Sequence, residues 1–167
     1  MSWKISRLQE HTPRCVLECI GVDLTVHAER HALMQRIDAA GGNVLVLTEG
    51  ILPYLSEVVV AALADELRQV ESVREWIVDY IAPAVAKARM QMSAGGAHAL
   101  PLVFSPDDWV AFFSAHRFEV AERRSLIYEG AANGRPFPMP SEPTNAPNDN
   151  TAKTVTDLFG YARLVPA

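Results

Sequence analysis

The stretch Val44–Leu55 constrains the fold of this chain most strongly, because it joins a buried-type strand to an acidic turn. It begins with Val-Leu-Val-Leu, an uninterrupted apolar run typical of a strand buried on both faces of a parallel sheet. Thr48-Glu49-Gly50 ends the run, and Pro53 soon follows. A carboxylate at this point stands at the carboxyl edge of the sheet, where ligands bind in open α/β folds.

Strands and helices are predicted to alternate along the rest of the chain. Further strands are predicted at Cys15–Val22, at Val73–Ile81, where side chains alternate, at Phe118–Ile127 and at Phe159–Val165. Apolar residues at helical spacing predict a helix over residues 2–12 and helices that start at Thr25, Ser56, Pro83 and Ser105. We therefore predict an α/β fold: a mostly parallel sheet with helices on both faces and an antiparallel edge strand, formed by the last segment.

Length and charge narrow the class of protein. A chain of 167 residues indicates a single domain over 1–167, large enough to bury a core. Its net charge of −5 gives no electrostatic reason to bind nucleic acid or an anionic membrane, and no apolar run reaches membrane-spanning length. Cys15 and Cys19 would share a strand face, too far apart to bridge easily, so we expect a reduced, cytoplasmic setting.

Several motifs resemble one enzyme family in their order along the chain. They are Arg7-Leu8, His11-Thr12-Pro13, Asp23-Leu24, Glu49-Gly50-Ile51-Leu52-Pro53-Tyr54-Leu55, Phe104-Ser105-Pro106-Asp107-Asp108-Trp109 and Arg135-Pro136-Phe137-Pro138. With them the sequence resembles the leucine carboxyl methyltransferase-like family of S-adenosylmethionine-dependent methyltransferases over essentially its whole length. The resemblance implies a class I methyltransferase (Rossmann-like) fold and transfer of a methyl group to a carboxylate or other oxygen acceptor.

The resemblance also implies roles for five residues. Asp23 would accept a hydrogen bond from the adenine amino group of S-adenosylmethionine, and the Leu24 backbone would contact the ring. Glu49 would face the charged methionine end of this cofactor, and Gly50 and Tyr54 would line the methyl-acceptor pocket. No catalytic residue is assigned, because methyl transfer from a sulfonium is an in-line displacement in which the protein mainly positions the reactants.

Simpler interpretations of these residues stay open at this point. Asp23 also fits a turn or helix-cap residue, Glu49 a solvated carboxylate, and Tyr54 a core residue.

A pair of histidines carries a weaker signal. His27 and His31 share one helix face, but the zincin pattern requires a glutamate directly after the first histidine, where this chain has Ala28. No metal is therefore expected.

The sequence departs from the family pattern at its start. Family members begin with a strand, a glycine-rich loop and a second strand that ends in an acidic residue, whereas none of the nine glycines here forms Gly-x-Gly. We therefore expect an incomplete class I fold, the carboxyl-terminal part of such an enzyme, with a Pro-rich loop over 135–157 and impaired cofactor binding.

The absent strands have a structural consequence. In the class I sheet they lie between the strand that ends at Asp23 and the strand that ends at Glu49, so both would lose a partner. We expect these two strands to close together, an edge to pair with another chain as a homo-oligomer, or the protein to aggregate. The alternative function is accordingly a non-catalytic remnant that acts, if at all, through oligomerisation.

Overall fold

The computed structural model describes residues 6–7, 12–83, 85–86, 102–136 and 159–167. In chain order the elements are α1 (His27–Ala40), β1 (Val44–Thr48), a 3₁₀ turn (Leu52–Tyr54), α2 (Glu57–Gln69), β2 (Val73–Ile81), α3 (Trp109–Ala115), β3 (Phe118–Ser125), α4 (Leu126–Ala132) and β4 (Phe159–Pro166). These elements confirm the α/β class. Most of the helix predicted over residues 2–12, most of the helix predicted after Pro83 and most of the loop predicted at 135–157 lie outside the described residues.

The four strands form one mixed sheet in the order β1-β2-β4-β3. β1 runs parallel to β2, and β4 runs antiparallel to both β2 and β3, so β4 alone among these strands is reversed. The sheet is mixed: three of the four described strands run in the same direction, as a mostly parallel sheet predicts, but β1–β2 is the single parallel pairing among them. The expectation that the antiparallel strand lies at an edge is wrong, because β4 is inserted between β2 and β3 and hydrogen-bonds along both of its sides.

One face of the sheet, which we call the packed face, carries the hydrophobic core. Trp76 and Val78 of β2 lie opposite Leu164 and Ala162 of β4, and all four are buried. Helices α2 and α3 cover this face; the buried Phe113 of α3 meets the Trp76 ring edge-on, with ring centroids 5.4 Å apart. The capped helix α2 thus has the amphipathic role that its sequence predicts.

The opposite face, which we call the open face, is less covered. Leu45 and Leu47 of β1 are 56% and 57% exposed, and Ile77 beside them is half-buried. The prediction that β1 is buried on both faces is therefore wrong. The alternation of side chains across a strand puts both leucines on the face away from the core, where no described helix covers them.

The segment Cys15–Val22 does not form the predicted strand. It is exposed and without regular structure, and Val16 is fully exposed. A strand requires a neighbour for its backbone N–H and C=O groups, and no described strand lies beside this segment. The expected closure between this segment and β1 is therefore not observed, and both cysteines are free and exposed.

Helix starts depend on local competition between capping residues. Ser56 caps α2 as predicted, since its Oγ accepts the Val59 N–H. Ser105 does not cap α3; the side chain of Asp108, three residues further on, accepts the Ala111 N–H at 2.9 Å and fixes the start there. Thr25 likewise does not cap α1, which begins at His27 after Val26; the Thr25 hydroxyl instead donates to Asp23 Oδ1 at 2.7 Å.

Gly160 of β4 provides a test of strand packing. A Cβ atom at this position would clash with the backbone carbonyl oxygen of Arg124 and lie 2.9 Å from the Tyr80 hydroxyl. We expect Gly160→Ala to lower the free energy of unfolding by about 1–3 kcal/mol in urea denaturation, since β3 and β4 must move apart. Gly134→Asn is the control, because open space surrounds Gly134 and asparagine tolerates its φ of 68°. Equal costs for the two variants would contradict the packing argument.

Candidate functional site

Three side chains converge at the carboxyl ends of β1 and β2, at what we call the carboxyl-edge site. The Tyr161 hydroxyl donates a hydrogen bond to Glu49 Oε1 at 3.0 Å. The Gly50 N–H donates to Asp79 Oδ2 at 3.1 Å, and the positive φ of Gly50 (62°) turns the chain away from the strand at this point. The site therefore joins residues that are far apart in sequence through two polar contacts.

Strand register explains why these residues meet. Thr48, the last residue of β1, pairs with Val78, so Glu49 and Asp79 follow at the same edge of two parallel strands. Tyr161 lies directly opposite Asp79 in the antiparallel pairing of β2 with β4. Residues directly opposite each other share a face, which places Asp79 and Tyr161 together on the open face.

The carboxyl-edge site carries excess negative charge. Partial burial raises the pKa of Asp79, and the charge of nearby Glu49 contributes in the same direction. Burial also raises the pKa of Tyr161, with the hydrogen bond to Glu49 as the second cause. Among the described residues no cationic side chain forms an ion pair with Glu49 or Asp79, and Asp79 Oδ1 is buried without a hydrogen-bond partner. Such a site favours a cationic or neutral ligand over an anion.

A cavity of about 280 Å³ adjoins the site on the open face. Asp79 and Tyr161 provide its polar end, and its remaining walls are mainly apolar side chains, contributed by Ile81, Val85, Leu126 and Phe159. An apolar cavity with a few polar groups at one end is the usual composition of a small-molecule site.

The predicted site residues are only partly brought together. Glu49 and Gly50 lie in the carboxyl-edge site, as their position after a strand indicates. Tyr54 lies in the 3₁₀ turn, where it is 36% exposed, and it does not line the cavity formed by the described residues. Its role toward a methyl acceptor stays a prediction.

Asp23 and Leu24 lie in a turn before α1 rather than at a strand end. Asp23 Oδ1 accepts hydrogen bonds from the Thr25 N–H at 2.8 Å and the Thr25 hydroxyl at 2.7 Å, and these bonds lower the pKa of Asp23. The Leu24 carbonyl accepts from Arg30 at 2.7 Å. These local contacts fit the turn interpretation, and an adenine contact by either residue stays a prediction.

Sequence reasoning missed Asp79 and Tyr161. Asp79 carried a usable signal, since it is a carboxylate near the carboxyl end of a strand predicted to be parallel. No comparable sequence signal pointed to Tyr161, because Tyr161 reaches the site only through the insertion of β4 beside β2.

The histidine pair has no metal-site geometry. The His27 and His31 rings stack 6.0 Å apart on α1, and His31 Nε2 lies 3.1 Å from the Gln35 side-chain amide nitrogen. The described part of the chain contains no group of three or more metal-ligating His, Cys, Asp or Glu side chains.

None of the described helices combines the length and the apolar character that a membrane span requires.

The raised pKa of Asp79 predicts a pH effect on stability. At low pH the carboxyl group is protonated in the native and unfolded states; as pH rises through the raised pKa, the native state must ionise a half-buried group, and stability is lost. Asp79→Asn keeps an acceptor for the Gly50 N–H. We expect it to flatten the urea-unfolding profile between pH 3 and 7 and to be more stable than the parent at neutral pH. Asp38→Asn, at an exposed position, is the control and should follow the parent profile. If Asp79→Asn also left the profile unchanged, Asp79 would not be the source of the pH effect.

The fold and site together define an α/β domain with a polar site at the carboxyl edge of a mixed sheet. No family model matches the chain, and no curated protein does. Among solved structures it is similar to magnesium protoporphyrin IX methyltransferase from Synechocystis PCC 6803, crystallised with bound SAH, at 10% identity and a TM-score of 0.45. The match covers 78% of this chain and 48% of that protein, so the chain spans about half its length. A similarity this low carries no argument about function.

Proposed function

We propose that this chain is the carboxyl-terminal part of an S-adenosylmethionine-dependent methyltransferase. One observation supports the proposal: Glu49, which by the family resemblance would face the charged methionine end of the cofactor, lies at the carboxyl end of β1 in a site with excess negative charge. The methionine end bears an ammonium group, and the sulfonium is also cationic. Two carboxylates without a cationic partner among the described residues suit such a ligand.

The residues at the site would hold and orient the reactants. S-adenosylmethionine supplies an electrophilic methyl group when bound, so the protein needs to position an acceptor and exclude water. Tyr161 fixes the Glu49 carboxylate through its hydroxyl, and Gly50 fixes Asp79 through its N–H. The apolar walls of the adjoining cavity would limit the access of water to an acceptor.

The negative charge of the site limits which of the methyl acceptors implied by the family resemblance could bind there. A carboxylate acceptor in the cavity would be repelled by Asp79 and Glu49, which are both acidic and have no described cation beside them. A hydroxyl acceptor is neutral, and its proton requires a base near neutral pH. Asp79 has the place and the raised pKa for this role, so we propose a hydroxyl group on an apolar molecule as the acceptor.

Calorimetric titration with S-adenosylmethionine tests the proposal. We expect binding that Glu49→Gln weakens about ten- to a hundredfold, since hydrogen bonds to charged groups contribute about 1.5–3 kcal/mol. Glu71→Gln is the control, because Glu71 is exposed and precedes the amino end of β2, at the opposite edge of the sheet from the site. Binding that Glu49→Gln leaves unchanged would contradict the role of Glu49, and the absence of binding at millimolar cofactor would contradict cofactor binding by this chain alone.

A second candidate function is favoured by two other observations. Asp23 is engaged in a local turn rather than placed for adenine, and one edge of β1 has no described partner strand. A non-catalytic remnant of the fold that associates through this edge fits both. The same titration separates the candidates, because the remnant would bind no cofactor at millimolar concentration.

A further inference from the structure

In the part of the chain that the structure describes, the outer edge of β1 has none of the features that normally protect a sheet edge. β1 pairs with β2 on one side and stands at the end of the sheet on the other. The strand contains no charged residue and no proline, and the exposed Leu45 and Leu47 lie on its open face. Soluble proteins usually blunt such edges with charges, prolines or a covering segment, since the unpaired N–H and C=O groups otherwise recruit another strand.

Opposite charges stand at the two ends of this edge. At the amino end, Arg74 is exposed, and its Nε donates to the Asn43 side-chain oxygen at 3.1 Å; the described residues provide no ion-pair partner for it. At the carboxyl end, Glu49 and Asp79 lack a cation among the described residues. The edge is therefore basic at its start, apolar in its middle and acidic at its end.

We propose that β1 pairs antiparallel with β1 of a second copy of this chain, centred on Val46. In this register Leu45 lies opposite Leu47 of the second copy, and Asn43 lies opposite Glu49 of the second copy. Directly opposite residues share a face and have Cβ atoms about 5 Å apart. The exposed leucines of both copies then form one apolar cluster, and Arg74, held beside Asn43, reaches the acidic end of the other strand.

The charge pattern selects this partner and this direction. A parallel pairing in register would set Arg74 beside Arg74 and Glu49 beside Glu49, whereas the antiparallel pairing sets each cation beside a carboxylate. The arrangement is two-fold symmetric and closed, and it joins two four-stranded sheets into one without a free β1 edge. The inference rests on β1 and its flanking charges and does not require methyl transfer. It shares Glu49 with the proposed function, so Arg74 of the second copy and the cofactor ammonium would compete for this carboxylate.

Sedimentation measurements over a range of protein concentration test the association. We expect a dimer at micromolar concentration, and we expect the double variant Leu45→Lys with Leu47→Lys to be monomeric, because lysines would then face each other across the pairing. Val58→Lys is the matched control, since Val58 is 78% exposed on α2 and lies outside the edge. Circular dichroism verifies that each variant is folded. A monomeric parent protein, or a folded double-lysine variant that dimerises as well as Val58→Lys, would overturn the proposal.

Cross-linking and charge exchange test the register. In a background with Cys15→Ser and Cys19→Ser, a mixture of Leu45→Cys and Leu47→Cys chains should form a mixed disulfide in preference to either homodimeric disulfide. Equal yields of all three products would overturn the register. Arg74→Glu and Glu49→Arg should each weaken dimerisation about tenfold, and their combination should restore it; a combination no better than the single variants would refute the charge pairing. Titration of the folded double-lysine variant with S-adenosylmethionine tests the proposed function separately from dimerisation, because this variant keeps Glu49 and Asp79.

Discussion

Replacement of Trp76 by alanine is expected to lower the free energy of unfolding by about 3–5 kcal/mol, the cost typical of deleting a large aromatic side chain from a core. Trp76 is fully buried at the centre of the packed face. Its ring contacts Phe113 and Phe118 edge-on, with centroids 5.4 Å away in each case. Because a domain of this size is stable by only about 5–15 kcal/mol, urea unfolding of the variant is best measured at low temperature.

A variant of Thr48 separates the packing of Trp76 from its hydrogen bond. The indole Nε1–H donates to Thr48 Oγ1 at 3.1 Å, which ties β2 to β1 beneath the surface. Thr48→Val keeps the side-chain shape but leaves the buried N–H without its acceptor, so we expect a loss of about 1–3 kcal/mol. If Trp76→Ala costs no more than Thr48→Val, the ring contacts contribute little and the packing argument fails.

Removal of Glu66 is the second large expected effect. Arg30 of α1 is only 4% exposed, and its guanidinium donates to Glu66 of α2 from Nε at 3.2 Å and from Nη2 at 2.9 Å. Glu66→Ala leaves a buried cation with the Leu24 carbonyl as its remaining acceptor. We expect a loss of about 3–5 kcal/mol in urea unfolding, because an unpaired buried charge is more costly than the absence of the pair.

The double variant provides the control for this pair. Arg30→Met with Glu66→Leu replaces both charges by apolar side chains of similar length, so we expect stability near that of the parent. An equally large loss in the double variant would show that side-chain shape, rather than an unpaired charge, determines the cost of Glu66→Ala. Glu57→Ala, at an exposed position on the same helix, should change stability little.

Apolar patterning predicted the strands that have a partner in the sheet. The bounds of β2 were predicted at both ends, and β1 and the antiparallel β4 were predicted to within one residue. The run Cys15–Val22 has a similar composition but forms no strand, because strand formation depends on a neighbour that the local sequence does not specify. For the same reason the sequence predicted that β4 is antiparallel but not that it lies inside the sheet.

The candidate site shows the same division between local and non-local information. Glu49 was found because a carboxylate follows an apolar run directly. Tyr161, 112 residues later, reaches Glu49 only through the pairing of β4 with β2. Asp23 was placed at the end of a strand that does not form, so its local hydrogen bonds with Thr25 prevail. Contacts between residues close in sequence could thus be predicted from the sequence, whereas contacts that depend on the order of strands in the sheet could not.

The interior position of β4 has a consequence for how the chain reaches its native state. β4 is synthesised after β1, β2 and β3, yet it supplies the hydrogen-bonding partner that joins β2 to β3. During translation, the edges of β2 and β3 that pair with β4 in the native sheet therefore lack this partner until residues 159–166 have left the ribosome. Closure over so long a stretch of chain is slow compared with helix formation. The interval exposes the nascent protein to chaperones and to mispairing with its neighbours.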